Sequence, residues 1–487
     1  MMFLTEWRFF RRTTIFWIVL AATWSCLGLA ASNGVHRWRQ DTLQAKSLDQ
    51  LIQSRLDRNR ARLIYINAAL SAGHPERITR SEFDWGPRQT LWVDAWDPPT
   101  SVLPAAPLAY LATGRSDTLP HSYASSAWRG LEPNAPTTDD PMTLLTGDFD
   151  MKFAILAVLP LILVLTCFDL VATEREDGTL HLLLAQPISF RSLLICRAAE
   201  RGALVIGSLV IAMVFLCVFV LLQDGTLWFW RAAAYLAVSV LYLLFWLLVA
   251  VLVNTLGRSG TVNSLLLGGS WLVLVILLPG LMPVIAESAS PTPSRALYID
   301  LARAARLGIY NGSSDERSTQ QRQAGMMKAF LSRHPELASY PNLSPADVLG
   351  GARGEEYSAM LANITDQFDA ARASQQKIIR LIAVASIASQ TDAVLTELSG
   401  SSDSRQTSFL RQSRQFFDAS KHYFWPRIFR HEVFTPERFA EIPVFSFTEQ
   451  TAGEVFRPCV FPAILLTLWL SVVCCFTVLH LRQKPIL

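Results

Sequence analysis

Residues 202–222, GALVIGSLVIAMVFLCVFVLL, hold no ionisable side chain in 21 positions. A run of that purity has no polar face to offer water. About 20 apolar residues, rising 1.5 Å each, cross the roughly 30 Å hydrocarbon layer of a bilayer. The run therefore predicts a membrane span. Five more stretches meet the same test, from about Thr13 to Ser32, Phe153 to Ala172, Ala232 to Leu256, Thr261 to Ile285 and Pro458 to Leu481. The expected fold class is membrane α-helical with six transmembrane helices. In the fifth, Pro279, Gly280 and Pro283 predict a kink or break, because proline lacks the N–H that the helix needs.

Composition explains why the chain is not all span. Of 487 residues 17% are charged and 51% apolar, too few charges for a soluble enzyme. The mean hydropathy of +0.28 is too low for membrane helices alone. A net charge of +3 gives no support to a basic nucleic-acid face.

Arg and Lys in the short loops set the expected orientation. Arg8, Arg11 and Arg12, then Arg175, Arg191, Arg197 and Arg201, then Arg258, and finally Arg482 and Lys484 all fall on one side. The short loop from Gln223 to Arg231 on the other side has a single Arg. Both termini are expected in the cytoplasm, with Asn33–Asp150 and Glu287–Arg457 outside. The chain divides accordingly into 1–32, 33–150, 151–286, 287–457 and 458–487. The first run has a second reading as a cleaved secretory signal, since three Arg precede it and it ends in GLAAS; either reading leaves the later sidedness unchanged.

All seven Cys (26, 167, 196, 217, 459, 474 and 475) sit in or beside the spans, so no disulfide framework is expected in the outer segments. Arg37 to Ser71 reads as a polar helix continuing the first span as a stalk, with Leu43, Leu51, Leu56, Leu63 and Leu70 as its apolar stripe. Trp, Pro and Gly punctuation between Phe83 and Leu131 predicts a small irregular lobe of short strands and turns. The second outer segment reads as mostly helical: a helix over SRALYIDLARAARLGIY capped by Ser294, one long helix or two between Glu355 and Leu398, and a shorter one from Arg405 to Phe417. The two outer segments are expected to fold together as one large, mixed, mainly helical extracytoplasmic domain.

Catalytic signatures are missing. There are six Lys and none follows a Gly, so no phosphate-cradling loop is present. G-x-S-x-G and H-E-x-x-H are absent, and the eight His lie singly without metal-ligand spacing. No metal site and no catalytic residue is assigned. Inside the spans Asp169 is the one acid, placed a turn from the cytoplasmic surface and read as interfacial. Ser208, Ser239, Tyr242, Asn254, Asn263 and Ser270 are read as interhelical hydrogen-bonding groups.

The most informative stretch is cytoplasmic, ATEREDGTLHLLLAQPISFRSLLICRAAERG, from Ala172 to Gly202. Gly178 breaks the helix, and TLHLLLAQP forms a short apolar turn-helix that Pro187 ends. Leu180, Leu182, Leu183 and Leu184 are too few to span and too apolar to stand in water. The short helix rests on lipid headgroups or offers its greasy face to a cytosolic partner, with Glu174, Arg175, Glu176 and Arg191 for that partner's charges.

The block EREDGTLHLLLAQPISFRSLLICR resembles the coupling segment of ABC-2 type transporter permeases, which read acid-basic-acid, Gly-Thr-Leu, a Leu-rich turn, Pro and a basic residue. The approach to the second span, NAPTTDDPMTLLTGDFDMKFAILAVLPLILVL, and the fifth, LGRSGTVNSLLLGGSWLVLVILLP, are similar to a bacterial subfamily with large extracytoplasmic inserts after the first and fifth spans. The resemblance implies that Glu174, Glu176, Gly178, Thr179 and Leu180 form the bend and start of a coupling helix. Pro187 and Arg191 would close it against a separate ATPase subunit within a coupling segment 173–201, and FLTEWRFFRR would be an interfacial helix before the first span. It further implies a multi-pass protein of the bacterial inner membrane and a second permease copy or paralogue. Two copies of a cytosolic ABC ATPase would bind ATP and Mg, which this chain would not bind directly. The leading functional expectation is an exporter permease. The alternatives are a mechanical transmitter that drives an extracytoplasmic partner without a substrate path, and a membrane-anchored enzyme.

Overall fold

The computed structural model describes residues 2–74, 89–112, 120–127, 130–133, 149–186, 188–224, 228–310, 316–340 and 343–483. In chain order the helices begin with α1 (Met2–Phe10), α2 (Thr14–Ser71) and α3 (Thr90–Trp96). Strands β1 (Thr100–Val102), β2 (Ser122–Ser126) and β3 (Gly130–Pro133) follow. The second apolar run is a composite, α4, of Met151–Phe153, a π-helical turn Ala154–Val158 and Leu159–Cys167. Two short helices, α5 (Ala172–Glu176) and α6 (Leu180–Leu184), lead into α7 (Phe190–Asp224) and α8 (Phe229–Thr255). α9 is again composite, Gly260–Trp271, a π-helical Leu272–Leu277 and Leu278–Ala289. Then come α10 (Arg295–Tyr310), α11 (Glu316–Arg333), α12 (Pro345–Ala383), α13 (Ile387–Ser399), α14 (Asp403–Phe429) and α15 (Ala452–Gln483).

Six helices, α2, α4, α7, α8, α9 and α15, are long and apolar enough to cross a membrane. They carry the six expected runs and pack into one apolar core. Of the kink or break expected in the fifth run, the break is absent: the helix continues past Pro279 and holds Pro283 in its interior. Its π-helical turn ends just before Pro279, and that of α4 just before Pro160. A wider turn at that point accommodates a residue with no N–H to donate. Carbonyls of the α4 turn are instead used by other helices, Leu156 by Tyr242 Oη at 2.9 Å and Ala157 by Trp271 Nε1 at 3.0 Å.

The polar segments gather at one end of the bundle, the crown, and share cores of their own. α2 is one unbroken helix from Thr13, whose hydroxyl caps its start, to Ser71, so the stalk is a direct extension of the first span. The stalk's buried residues differ from the expected stripe. Leu63 and Ile66 are buried, but Leu43 and Leu51 are exposed. β1, β2 and β3 form an antiparallel sheet in that order. Asp94 on α3 ties the lobe together by accepting from Ser126 Oγ at 2.8 Å and Ala127 N at 2.7 Å. Part of the expected lobe, residues 83–88, 113–119 and 128–129, lies outside the described residues, as do 134–148 of the approach to the second span. α14 is 27 residues long, not the short helix expected, and braces the lobe. Ser413 meets Ser101 at 2.8 Å and Trp425 Nε1 donates to Ala127 O at 2.9 Å. Leu63, Val93, Ala127, Phe424 and Phe434 form a single apolar cluster. The two outer segments therefore fold together. Ser294 caps α10 through Leu297 N at 3.2 Å, and the stretch from Glu355 to Leu398 is two helices, α12 and α13.

Two pieces of the outer segments are sunk into the crown. α13 packs against α8, α15 and the π-helical turn of α9, with Lys152 at the top of α4 paired to Asp392 at 3.0 Å. Burial pushes the Glu397 carboxyl above its usual range. The turn Leu108–Leu111 is buried beside α13, Leu108 N donating to Ser399 O at 3.0 Å and Lys152 N to Leu111 O at 3.1 Å. Next to both lies Arg231, fully buried between the faces of Trp228 and Trp230, its guanidinium 5.4 and 5.1 Å from their centroids and without a hydrogen-bond partner among the described residues.

The buried turn passes α2 so closely that a Cβ on Gly34 would lie 2.1 Å from Tyr110 O, whereas Gly28, two turns earlier, has open space. Gly34→Ala is therefore expected to cost roughly 2 kcal/mol or more, since backbone must move to admit the methyl. Gly28→Ala should be neutral or mildly stabilising by up to about 1 kcal/mol. Thermal unfolding of the two variants in detergent, each against the parent, checks the difference.

Candidate functional site

At the end of the bundle opposite the crown, the base, α4 stops at Cys167 and the chain turns into α5. A helix end leaves its last carbonyls without intrahelical donors, and in a buried site each such oxygen needs another partner. Here five consecutive carbonyls are taken up by four side chains from three other helices. Arg201 of α7 donates to the Thr166 and Asp169 oxygens, the latter at 3.2 Å. Asn254 of α8 donates to Cys167 O at 2.8 Å and Asn263 of α9 to Phe168 O at 3.3 Å. Arg197 of α7 donates to Leu170 O at 2.7 Å. Asn254 uses its other end as well, accepting from Leu170 N at 3.2 Å. Each bond is worth about 1 kcal/mol net, and an acceptor left dry costs about 1–3 kcal/mol.

The carbonyl clamp extends into the segment beyond it. Arg197 pairs with Glu174 on α5 at 2.6 Å and lies 3.5 Å from Glu6 on α1. Asp169 accepts from Thr173 N at 2.8 Å, so this acid caps the start of α5. Glu176 accepts from Gly260 N at 2.9 Å, fastening the end of α5 to the start of α9. Arg191 reaches the last span, its Nε donating to Leu481 O at 2.9 Å.

The expected site residues thus separate into two groups. Glu174, Glu176 and Arg191 are engaged inside the chain, as braces of the base, and Arg175 lies beside them on α5, half-buried. Gly178 has φ +70, a left-handed conformation that glycine adopts without steric cost, and it turns the chain from α5 into α6. Thr179 Oγ1 donates back to Glu174 O at 3.3 Å. On α6, Leu180 and Leu183 are half-buried, and Leu180 packs against the bundle core. The outward side chains are His181 and Leu182, the leucine 73% exposed. Pro187 lies outside the described residues. Residues 190–201, read from sequence as part of a loop, are the first three turns of α7.

Arg197, Arg201, Asn254, Asn263 and Leu182 are what sequence reasoning undervalued. Arg197 and Arg201 entered mainly as positive charges that set orientation. Asn254 and Asn263 were two of six scattered polar groups, of which Ser208, Ser239 and Ser270 bond within their own helices. A usable signal was present: the two Asn stand on either side of the four-residue turn GRSG, at matching depth in consecutive antiparallel helices. Among the described residues no three His, Cys, Asp or Glu side chains converge as metal ligands would.

Asn254→Leu strands Cys167 O and Leu170 N at once. It should destabilise the protein by about 2–4 kcal/mol. Ser208→Ala, which removes only a bond to the Leu204 carbonyl of the same helix, should stay within about 1 kcal/mol of the parent. Apparent melting temperatures of the two purified variants distinguish a buried clamp from generic intramembrane polarity.

A model of the family described as "ABC-2 family transporter protein" matches residues 3–416, a range that takes in α1, the first five spans, the whole base segment and most of the outer helices. No curated protein and no solved structure matches.

Proposed function

The chain belongs to the ABC-2 family of transporter proteins, a membrane subunit of an ABC transporter, and from that premise we propose that it passes the motion of a cytosolic ABC ATPase through α6 to its crown. The observation that carries this reading is the contrast at the base. α5 is bound to three other helices by Glu174 and Glu176 and by the carbonyl clamp, while α6 presents Leu182 to the outside. An apolar side chain on a five-residue helix that is firmly braced from behind suits a contact that receives force. A push on α6 is delivered through α5 to α1, α7 and α9 together.

In this reading both termini and the base are cytoplasmic, the membrane is the bacterial inner membrane, and the crown lies outside. A second permease copy or paralogue completes the transporter, with two ATPase subunits that supply ATP and Mg. Export is the direction that the reading favours, because most of the polar mass lies at the crown. The unbroken α2 supports a second reading in which the same motion works the outer domain mechanically on an extracytoplasmic partner, since one 58-residue helix joins span and stalk.

Co-purification with the cognate ATPase tests the coupling surface. Leu182→Asp should weaken the complex by about 2 kcal/mol, close to 30-fold in affinity, with the melting temperature unchanged. Leu381→Asp, at an equally exposed position on α12, should leave the complex intact. Equal recovery of the ATPase with Leu182→Asp and with the parent would reject α6 as the contact.

A further inference from the structure

The helix that follows the fifth span, α10, is apolar on two sides. Tyr298, Ala302, Ala305 and Ile309 are buried or half-buried, Tyr298 against Phe368 of α12 and Ile309 in a cluster with Phe429. On another side Leu297, Leu301, Ala304 and Gly308 are exposed, with Leu307 beside them. Their spacing of four, three and four residues is the 3.5-residue period of a seam that packs on another helix. Leu301 and Leu307 are 39% and 50% exposed. A Cβ on Gly308 would meet nothing within 4 Å, which leaves room for a close approach. Asp300 is the one charge on this half of the helix, and Arg303 and Arg306 project from the far flank.

Lipid cannot cover the seam along its length. α2 is unbroken, and Leu63 lies about 44 Å along it beyond Gly34. Leu63 shares its core with Phe424 and Ile428 of α14, and the next residue, Phe429, shares one with Ile309 near the end of α10. Even with the stalk tilted by about 40°, that level stands about 34 Å above Gly34. The headgroup layer adds only about 5–8 Å to each side of the hydrocarbon. The far half of α10 is therefore beyond the bilayer, and its exposed leucines face water or another protein.

α10 also continues the line of the fifth span. Ser290, just past the end of α9, meets Ser374 of α12 at 3.3 Å, and Tyr298 meets Thr365 of the same helix at 3.3 Å, nine residues further from the bundle. Among the described residues α9 is the span least covered by the rest of the chain. The 30 residues of α9 and 16 of α10 make a strip about 69 Å long and about 10–12 Å wide. One side of it offers about 700–800 Å², close to the ~800 Å² that each partner buries in a stable complex. α10 alone offers about 250 Å², too little for a partner that reaches only the crown. The occupant must lie in the same membrane and stand as tall as the crown. A second copy meets both needs, since the bilayer holds it at the same height and in the same direction, and a two-fold axis sets seam against seam.

We infer that a second copy of this chain docks on the strip, with the seam Leu297, Leu301, Ala304 and Gly308 of α10 packing on its own counterpart above the membrane. The inference rests on the reading that a second permease copy completes the transporter, and it names the surface at which the copies meet.

Full-length chains carrying a donor or an acceptor fluorophore at the C-terminus are reconstituted together in liposomes, and energy transfer is followed against protein density. The parent should associate. Leu301→Glu should raise the density of half-association about tenfold, equivalent to ~1.4 kcal/mol, with the melting temperature as in the parent. Leu43→Glu, at an exposed stalk position away from the strip, should leave association unchanged. On oxidation Ala304→Cys should give about ten times more disulfide dimer than Leu43→Cys, above the background that the native Cys give in the parent. Association indifferent to Leu301→Glu, or no excess of dimer with Ala304→Cys, would overturn the inference while leaving the second-copy reading in place, the copies then meeting elsewhere. No energy transfer in the parent at any density would overturn both.

Discussion

Most of what this protein can do depends on how one helix ends. α4 stops inside the bundle, and five successive carbonyls from Thr166 to Leu170 find their side-chain donors among the described residues in Arg197, Arg201, Asn254 and Asn263. Those donors stand on α7, α8 and α9, so satisfying the end of one span fixes the relative positions of four. The alternative, dry carbonyls in a low-dielectric interior, is costly enough to exclude independent sliding of these helices at the base. α5 leaves the clamp already attached by Arg197 to Glu174 and by Glu176 to the start of α9. The chain is thus stiff where force would arrive and exposed at Leu182 where it would be applied.

The crown is closed in a different way. There apolar packing and close backbone approach dominate: the Leu108–Leu111 turn passes over Gly34, and α13 sits among α8, α9 and α15. Arg231 lies in this packing with two indole faces and, among the described residues, no hydrogen-bond acceptor. A buried guanidinium in such a setting contributes little net stability compared with an apolar residue of its size. The stalk is continuous with the first span, so one helix, α2, joins the bundle to the outer domain.

Much of this was legible in the sequence because the bilayer imposes a strong pattern. Six apolar runs, the stalk's continuity with the first span, the lobe of short strands and the turn at Gly178 all followed from length, charge and glycine chemistry. What was not legible shares a physical reason: it depends on contacts between residues far apart in the chain. Leu43 and Leu51 fit a helical stripe as well as Leu63 does, and only the position of the lobe decides which are covered. Residues 190–201 look like loop because Arg191, Arg197 and Arg201 interrupt the apolar run. They are helical because those side chains reach a carbonyl of α15 and carbonyls at the end of α4. In the fifth span the prolines predicted a kink or break, and the helix runs on through a π-helical turn without breaking. The family resemblance pointed to the segment around Gly178, yet it did not distinguish the residues that brace the base, Glu174, Glu176 and Arg191, from the exposed Leu182.

Hydrogen exchange of residues 168–184 in the purified, full-length protein in nanodiscs addresses the clamp directly. Leu170 N is bonded to Asn254, Thr173 N to Asp169 and Arg175 N to Val171 O, all on a segment held to the bundle. The account predicts that these amides exchange as slowly as the bundle core, and markedly more slowly than those of Leu180–Leu184. Exchange of residues 168–176 at the rate of the Leu180–Leu184 helix would contradict it, because the carbonyls at the end of α4 would then not hold the base together.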